Sequence, residues 1–559
     1  MKTLYVSPNG SPNGSGLISS PLDLQTAFDS PLVQPGDLVW LRGGVYVHTP
    51  QAVALNYEGY IFRVSVSGSS GAPITFRGYP GEQARIDGGA FSGGALSYHA
   101  MARPTIKVGD PSDASLGNFV TLQDLEVFSS SLEKRQSTDD TSFPLDLTRS
   151  DGINIYGSGV KILNCVVHDL STGISAWTQS KQAEIYGCLI YNNGWQGSTH
   201  QHGHNLYLQH GATWSGYKII KRNLLVSPFD RNAQMYGSSI AECSHFRFDE
   251  NFAVGLQGQR GEVLIGTRTG GVADRVVDNQ ITNNCFYGAD LNTVYQPDPN
   301  AYRDLVVTNN YLVKCKVGLG SWKTLTFTGN TLIDEADVTY GNVSLVLNNG
   351  VVIPWSFDRN NYVFSSPTAP VFDMGSGSVS LAAWRTKTGY DLNSTVGAAP
   401  TSPKIVVQNN AYDANRAHVC IYNWSKASAL AVNVASLGWL PGTVVNIRNA
   451  QNYYSDVSSA TVQADGTIAL NMFGHPTSIP YGAAATPVPS TFPDFGAFVL
   501  IRTAAAPLPP PPPPPVPNTQ TPLEVLSAQI TAAQNATTDP QTKQTLGFIK
   551  SLIVETQKL

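Results

Sequence analysis

A short pattern of apolar and polar positions recurs through the middle of the chain. Each copy has an apolar residue, two variable residues, an Asn or Cys, one further residue and a second apolar residue. A fixed motif at variable spacing is typical of a solenoid whose turns carry loops of different length. We therefore predict stacked coils. The Asn or Cys of each copy, here called the pivot, recurs every 20 to 35 residues, at Cys165, Cys188, Asn223, Asn251, Asn284, Asn310 and Asn330.

A second series of predicted strands lies between the pivots. Its apolar residues alternate, as in Ile153 and Ile155 or Leu206 and Leu208, and would point inward because side chains alternate along a strand. Stacked coils lie about 4.8 Å apart, so the outward neighbours form a ladder. Aromatic rings and amides suit the C–H faces and hydroxyls of sugars, although packing under neighbouring loops is an alternative. The predicted polysaccharide-binding ladder contains Asn154, Tyr156, Trp177, Asn205, Tyr207, Gln209, Gln234 and Tyr236.

The pattern divides the chain into five regions. Residues 1–50 are predicted to cap the coil, and residues 51–415 to form it. Short alternating strands over 416–503 predict a small antiparallel β-sandwich. Proline dominates 504–518, which predicts a polyproline linker, and 519–559 has the apolar stripes of two short helices. A hairpin of that size needs a partner for its stripe, which predicts a homo-oligomer such as a trimer, or another assembly partner.

The opening of the chain resembles a known fold family. Leu4–Gly10, Pro35–Tyr46, Ala72–Arg77 and Ile86–Gly88 together are similar to the start of right-handed parallel β-helix proteins of the polysaccharide-lyase type, pectate lyases among them. The likeness continues more loosely to about residue 415. It implies an all-β chain: a right-handed parallel β-helix, a small antiparallel β-sandwich and a short C-terminal helical tail. The same opening precedes lyases, hydrolases and epimerases, so it leaves the reaction open.

Three histidines alternate beside the ladder. Imidazoles at the spacing of His200, His202 and His204 can bind a metal or carry protons. However, Gly203 interrupts the run, and His204 has the parity of the inward Leu206. The favoured interpretation is a buried or turn histidine with hydrogen bonds, so no metal ligand is assigned.

Charged residues near the ladder are the candidate catalysts. β-Elimination on a uronic acid needs a cation, here Arg231 or Arg268, to neutralise the carboxylate. It also needs a base and an acid, for which His204 and Tyr207 are candidates. Hydrolysis instead needs two carboxyl groups. Each charged residue alone is also compatible with a salt-bridged surface group, and the carboxyl candidates are Asp230, Glu242 and Glu262.

Composition narrows the partners and cofactors. The formal net charge of −5 argues against nucleic acid, while a local basic patch remains compatible with an acidic polysaccharide. The chain shows no nucleotide fingerprint, so no cofactor is required, and calcium is compatible with the frequent Asp near turns. Its six cysteines lack zinc spacing and are predicted to be reduced and buried. No apolar run reaches the roughly 18 residues that a membrane span needs.

These features predict a carbohydrate-active protein that binds an extended polysaccharide and degrades it as a lyase or glycoside hydrolase. The alternative is a non-catalytic structural or adhesive spike that uses the coil as a rigid rod. No secretory signal precedes the first predicted strand. A tailspike-like protein on a virion surface, or an extracellular protein, is the expected setting.

Overall fold

The computed structural model describes 1–48, 59–89, 104–142, 144, 146–147, 149–212, 214–255, 261–267, 276–295, 302–320, 322–333, 355–364, 370–373, 377–482, 488–503 and 522–556. The chain forms two compact units, Met1–Arg502 and Thr503–Leu559. The predicted linker 504–518 lies outside the described residues.

Three long parallel sheets dominate the first unit. Each coil contributes a strand to sheet A, then to sheet B, and most coils add one to sheet C. Sheet A has 12 strands: Thr3–Val6, Leu38–Leu41, Ile74–Gly78, Val120–Gln123, Lys161–Leu163, Glu184–Tyr186, Lys218–Lys221, Phe246–Asp249, Val276–Thr282, Tyr302–Thr308, Leu325–Thr328 and Ser356–Asp358. Sheet B also has 12: Gly44–Tyr46, Ala84–Asp87, Glu126–Phe128, Val166–His168, Leu189–Tyr191, Leu224–Val226, Phe252–Val254, Cys285–Tyr287, Tyr311–Val313, Thr331–Ile333, Asn361–Val363 and Thr395–Val396.

Sheet C carries the second predicted strand series. Its nine strands are Phe62–Val64, Pro104–Val108, Asp151–Ile155, Ile174–Ala176, His204–Leu208, Arg231–Gly237, Glu262–Thr267, Leu291–Tyr295 and Val317–Gly318. Three parallel sheets wound in this order make a parallel β-helix, which confirms the predicted fold class.

The core runs along the axis of the β-helix. Helix α1, Leu24–Asp29, lies at its start, with Asp23 as N-cap accepting from the Thr26 N–H at 2.9 Å. Ile153, Ile155, Leu206 and Leu208, predicted to point inward, are 0% exposed. One continuous cluster of buried apolar side chains extends from Leu4 to Tyr390. The inward parity of sheet C is therefore correct for its apolar residues.

The pivots form a hydrogen-bonded ladder in the turn between sheets A and B. The Asn284 side chain donates to Asn310 Oδ1 at 2.9 Å and to the Phe248 carbonyl at 3.0 Å, and its own Oδ1 accepts from the Asn251 N–H at 2.8 Å. The same contacts recur from Asn223 to Asn360. Just before each pivot the backbone is left-handed, for example φ 54° at Glu250 and 58° at Asn283. The left-handed turn thus repeats at each pivot, and the buried amides of the Asn pivots are satisfied.

The coil ends earlier than the sequence pattern predicts. The Asn410 copy of the motif was predicted to belong to it, but strand Lys404–Asn409 pairs antiparallel with Arg416–Tyr422. That strand belongs to a five-stranded sheet with Phe495–Arg502, Val444–Asn449 and Val457–Thr461. The motif specifies the local turn, but it does not specify with which strand the neighbouring strand will pair.

The remaining elements are short. Two further antiparallel sheets pair Trp195–Gln196 with Gln201–His202, and Phe372–Asp373 with Ser378–Val379. Strands Ala429–Asn433 and Thr467–Asn471 form the second layer of the sandwich, and a 3₁₀ turn at Ala435–Leu437 follows the first of them. Helix α2, Leu381–Thr388, precedes the sandwich in the chain.

The sandwich packs on the outer face of sheet B. Leu189, Leu224 and Phe252 of sheet B share one buried cluster with Tyr422 and Phe495 of the sandwich. The Tyr422 hydroxyl also donates to the Phe286 carbonyl at 3.0 Å. Sheet B is thereby covered, so its outer face is structural.

The second unit contains two helices, α3 at Pro522–Ala536 and α4 at Pro540–Thr556, which contact each other. Apolar side chains remain exposed on both, including Leu526 (44%), Phe548 (66%) and Leu552 (52%). Among the helices of the described residues, none combines the length and hydropathy that crossing a membrane requires. All six cysteines are buried and free, as predicted.

Candidate functional site

The outer face of sheet C brings most of the predicted ladder together. Strand register places Asn154 beside Ser175, Ser175 beside Tyr207, and Tyr207 beside Gln234. Lys107 precedes them in the same row and was missed in the sequence. The signal that could have found it is its place between the apolar Ile106 and Val108, which gives it outward parity.

Three aromatic rings line this face. Tyr156 and Trp177 stack with ring centroids 6.2 Å apart at 8°, and Trp177 meets Tyr207 at 5.5 Å. All three side chains are half-buried, as are Gln234 and Tyr236. The face therefore presents partly exposed rings, while Asn154 and Gln209 are buried at 2% and 8% exposure. The prediction of a fully exposed ladder was wrong for these two amides.

A buried lysine holds one end of this row in place. Lys218 is 1% exposed, and its ammonium donates to the Gln209 carbonyl at 2.6 Å and to Ser180 Oγ at 2.7 Å. It also donates to the Trp177 carbonyl at 2.5 Å. Burial lowers the pKa of Lys218 well below its usual range. These bonds fix the backbone that carries the aromatic row.

The charged residues lie along the line where the strands of sheet C begin, here called the edge of sheet C. Arg231 and Glu262 are the first residues of their strands. Arg231 donates to Glu262 at 2.7 Å, to Gln234 Oε1 at 3.2 Å, and to Asp230. Glu262 also accepts from Asn292 Nδ2 at 2.7 Å. The structure thus brings Asp230, Arg231 and Glu262 into one network, in which a single guanidinium is shared by two carboxylates. Arg268 lies outside the described residues.

Two predicted orientations on strand His204–Leu208 were wrong. His204 does not follow the inward Leu206, because its ring stacks on Tyr207 at 5.7 Å and 20° on the outer face. Asn205 does not face outward and is 0% exposed. It accepts from Asn193 at 2.9 Å and donates to Asn232 at 3.0 Å, forming a second buried ladder at the turn into sheet C. Strict alternation does not hold where the strand leaves that turn.

His204 and Tyr207 have displaced ionisation. Burial, and then the nearby Arg231, lower the pKa of His204 well below its usual value, so its imidazole is neutral at pH 7. Burial raises the pKa of Tyr207 to about 12, so its hydroxyl stays protonated. His204 Nδ1 is buried and has no hydrogen-bond partner among the described residues. A neutral imidazole is suited to accept a proton, and the phenol to donate one.

Asp151 is a residue that the sequence analysis missed. It lies in the same row as His204, two coils earlier, as the register of Ile153 with Ile174 and of Ile174 with Leu206 shows. Its carboxylate accepts from Ser171 Oγ. Burial raises its pKa to about 6, which allows it to donate or accept a proton near neutral pH. Nothing in its local sequence distinguishes it.

Glu242 does not join this edge network. Its backbone pairs with His210 beyond the opposite end of strand His204–Leu208, with N–H to carbonyl distances of 2.8 and 2.9 Å. The connection after strand Arg231–Gly237 carries it there, so the carboxyl candidates of the sequence are divided between two ends of sheet C.

Asp140, His200 and His202 form a separate cluster. Their ligand atoms lie within 4.8 Å of one another. The pKa of Asp140 is held well below its usual range by hydrogen bonds from Thr199 and Ser198. Burial and His200 lower the pKa of His202. No metal ligand was assigned here from the sequence, because Gly203 interrupts the histidine run, and Asp140, about 60 residues earlier in the chain, was not considered.

Comparisons with known proteins give local or remote similarity. No protein-family description matches the chain. Pectate lyase PEL9 of Emericella nidulans is 36% identical over 86 residues, which is 15% of this chain and 18% of that protein. The uncharacterized protein YwoF of Bacillus subtilis is 33% identical over 126 residues, or 22% of this chain and 23% of its own length. The chain thus spans less than a quarter of either curated relative.

Among solved structures, pectate lyase Pel9A is similar at 15% identity and a TM-score of 0.41, over 72% of this chain and 82% of that one. At this level the similarity concerns the β-helix fold.

Proposed function

We propose that the protein binds an extended polysaccharide along the outer face of sheet C and cleaves it at the edge that contains Asp151, His204 and Arg231. The observation that carries the proposal is the continuous row of Tyr156, Trp177 and Tyr207 beside groups with displaced pKa values. Rings spaced along successive coils suit successive sugar units, because each ring offers an apolar face to C–H groups. The local similarity to a pectate lyase supports a polysaccharide as the substrate and leaves its charge open.

The edge supplies a base and an acid for bond cleavage. Neutral His204 accepts a proton, in the place that a second carboxyl group takes in the usual hydrolytic pair, and Asp151, with a pKa of about 6, donates one. The two occupy one row two coils apart, a distance of roughly 10 Å along the β-helix. That separation leaves room for a sugar ring between them. Tyr207 is protonated, lies on the same strand as His204 and stacks on its ring.

The charge of the edge bears on the reaction type. Arg231 is already shared by Asp230 and Glu262, so its charge is more than compensated. β-Elimination on a uronic acid would need a further cation to neutralise the substrate carboxylate, whereas hydrolysis would not. Hydrolysis of a weakly charged glycan is therefore the favoured reaction, and elimination is the runner-up.

The first test measures cleavage and distinguishes hydrolysis from elimination. Purified protein is incubated with neutral and acidic polysaccharides, and new reducing ends and the absorbance of unsaturated products are both followed. Hydrolysis gives the first signal alone, and elimination gives both. If neither appears with any substrate, the catalytic half of the proposal is wrong and the non-catalytic spike is favoured.

Binding is measured with the Trp177→Ala and Tyr207→Ala variants. Each is expected to weaken glycan binding about fivefold, because one stacking ring contributes roughly 1 kcal/mol. Trp40→Ala is the matched control, since it removes a half-buried ring that pairs with Tyr79 at 5.7 Å on sheet A. Unchanged binding in the sheet C variants would remove the groove assignment.

We also propose that the helical tail mediates self-association, as in a trimeric spike at a virion or cell surface. The exposed Leu526, Phe548 and Leu552 support it, because helices of this length gain stability by covering such side chains. Removing residues 503–559 should lower the mass measured by light scattering. An unchanged mass would contradict this role.

A further inference from the structure

We propose that Asp140, His200 and His202 bind a first-row divalent cation of the Zn²⁺ class, which fastens the tip of one loop to a hairpin beside the candidate active edge. This site is additional to the glycan function and does not depend on it. Its three donors come from two segments that are distant in sequence, and their ligand atoms lie within 4.8 Å of one another.

The two segments are held in position by contacts other than the three donors. His200 and His202 lie at the end of a hairpin in which Trp195 pairs with His202. The loop that carries Asp140 pairs with this hairpin, because Ser137 N–H donates to the Gln196 carbonyl at 2.8 Å and Gln196 N–H donates to the Arg135 carbonyl at 2.8 Å. The donor set is therefore organised without requiring the cation.

Arg135 anchors the root of the same loop. It is 1% exposed, and its guanidinium donates to the Asn192 carbonyl at 2.5 Å and the Gly194 carbonyl at 2.9 Å. It also lies 3.2 Å from Asp169. The root is thus fixed to the β-helix. Nearer the tip, Asp140 accepts hydrogen bonds from Ser198 Oγ and Thr199 N–H at 2.8 Å each.

The gap between the donors has the size of a cation. His202 Nε2 lies 3.7 Å from Asp140 Oδ1, which is too long for a hydrogen bond. That nitrogen is buried and has no hydrogen-bond partner in the described part of the chain, a situation that is costly for a polar atom. Donors around a tetrahedral Zn²⁺ at about 2.0–2.2 Å lie roughly 3.3–3.5 Å apart, so a small closure suffices.

The ring positions favour the same ion. The His202 ring stacks on Trp195 at 5.2 Å and 8°, which fixes its plane, and the His200 ring is 4.1 Å from it. His200 is exposed, and its Nδ1 contacts Thr199 Oγ1 at 3.0 Å, so we assign Nε2 as its donor to the ion. Two imidazoles and one carboxylate suit Zn²⁺ with a water in the fourth position, whereas Ca²⁺ and Mg²⁺ prefer oxygen donors.

The test uses the full chain without an affinity tag, stripped with EDTA and dialysed. Titration with Zn²⁺ in a calorimeter should show one equivalent bound at micromolar Kd or tighter. Co²⁺ should give the visible absorption of a tetrahedral site. Asp140→Asn and His200→Ala should each weaken Zn²⁺ binding roughly 100-fold, by loss of one donor. Both positions lie on the surface, so unfolding is not expected.

His475→Ala is the matched control, because His475 also contacts an aspartate, Asp456, at 2.6 Å. It should bind Zn²⁺ like the unmodified chain. A second readout is proteolysis of the loop 129–146, which Zn²⁺ should slow in the unmodified chain and not in His200→Ala. The proposal would be overturned if the unmodified chain does not bind Zn²⁺. It would also be overturned if the Asp140→Asn and His200→Ala variants bind Zn²⁺ as tightly as the unmodified chain does.

Discussion

The pivot ladder and the edge of sheet C are both rows of polar side chains on stacked coils, but they treat hydrogen bonds in opposite ways. In the ladder, the amides of Asn251, Asn284 and Asn310 give and receive bonds on both sides. At the edge, His204 Nδ1 is buried without a partner among the residues described, as is His202 Nε2 in the neighbouring hairpin. Buried polar atoms are normally satisfied, so an unsatisfied atom beside a candidate site calls for an explanation other than stability.

The same contrast appears in the charges. The pivots themselves are neutral amides and thiols, whereas the edge holds Asp230, Arg231 and Glu262 in one network. The ladder therefore stabilises the fold, whereas the charged groups at the edge lower its stability. The predictions below test that difference by removing one side chain at a time.

The largest effect is expected from Asn284→Ala in the ladder. The substitution removes the side chain that accepts from the Asn251 N–H and donates to the Phe248 carbonyl and Asn310 Oδ1 in the core. The loss of unfolding free energy should be about 3–5 kcal/mol, given roughly 1–3 kcal/mol for each unsatisfied buried group. Urea denaturation measures it. Asn13→Ala, at an exposed position, should change stability by less than about 0.5 kcal/mol, and a similarly small loss in Asn284→Ala would contradict the scaffold role.

Arg231→Ala should have the next largest effect. It leaves Asp230 and Glu262, with side chains 6% and 13% exposed, as neighbouring carboxylates without their shared cation. Stability should fall by about 2–4 kcal/mol, because removing one partner of a buried ion pair leaves the remaining charges uncompensated. Thermal unfolding measures the loss. A change of less than about 0.5 kcal/mol, the size typical of a surface substitution, would contradict the role of Arg231 in the network.

Asp151→Asn should have the smallest effect, and of opposite sign. Because burial raises its pKa to about 6, the folded chain binds a proton there more tightly than the unfolded chain. This carboxyl therefore stabilises the fold less as pH rises from about 4 to 6, and above pH 6 its charge is a cost. At pH 7.5 the variant should be more stable than the unmodified chain by up to about 3 kcal/mol.

The control is Asp113→Asn, since Asp113 is exposed and hydrogen bonds from Ser115 lower its pKa. It should not stabilise the chain at any pH. Cleavage by Asp151→Asn should lose its dependence on pH near 6 as well as most of its rate. If the variant is less stable at pH 7.5, Asp151 belongs to the scaffold instead of the site.

Local sequence was enough to predict the repeating coil and the inward apolar residues. Each pivot, such as Asn284, has an apolar residue three positions before it and another two positions after it. The alternation of Ile153 and Ile155 follows from strand geometry. The outward rings Tyr156, Trp177 and Tyr207 were found in the same way. These features depend on residues close together in the chain.

Tertiary structure alone decided which side chains meet. Asp140 reaches His202 through a loop whose length varies between coils, and Asp151 reaches the row of His204 by stacking two coils apart. The reversal of His204 and Asn205 depends on an asparagine ladder with Asn193 and Asn232 that strand alternation does not contain. Sequence sets the period of a solenoid, whereas the contacts between coils, and the burial that shifts the pKa of Asp151, arise only when the coils are stacked.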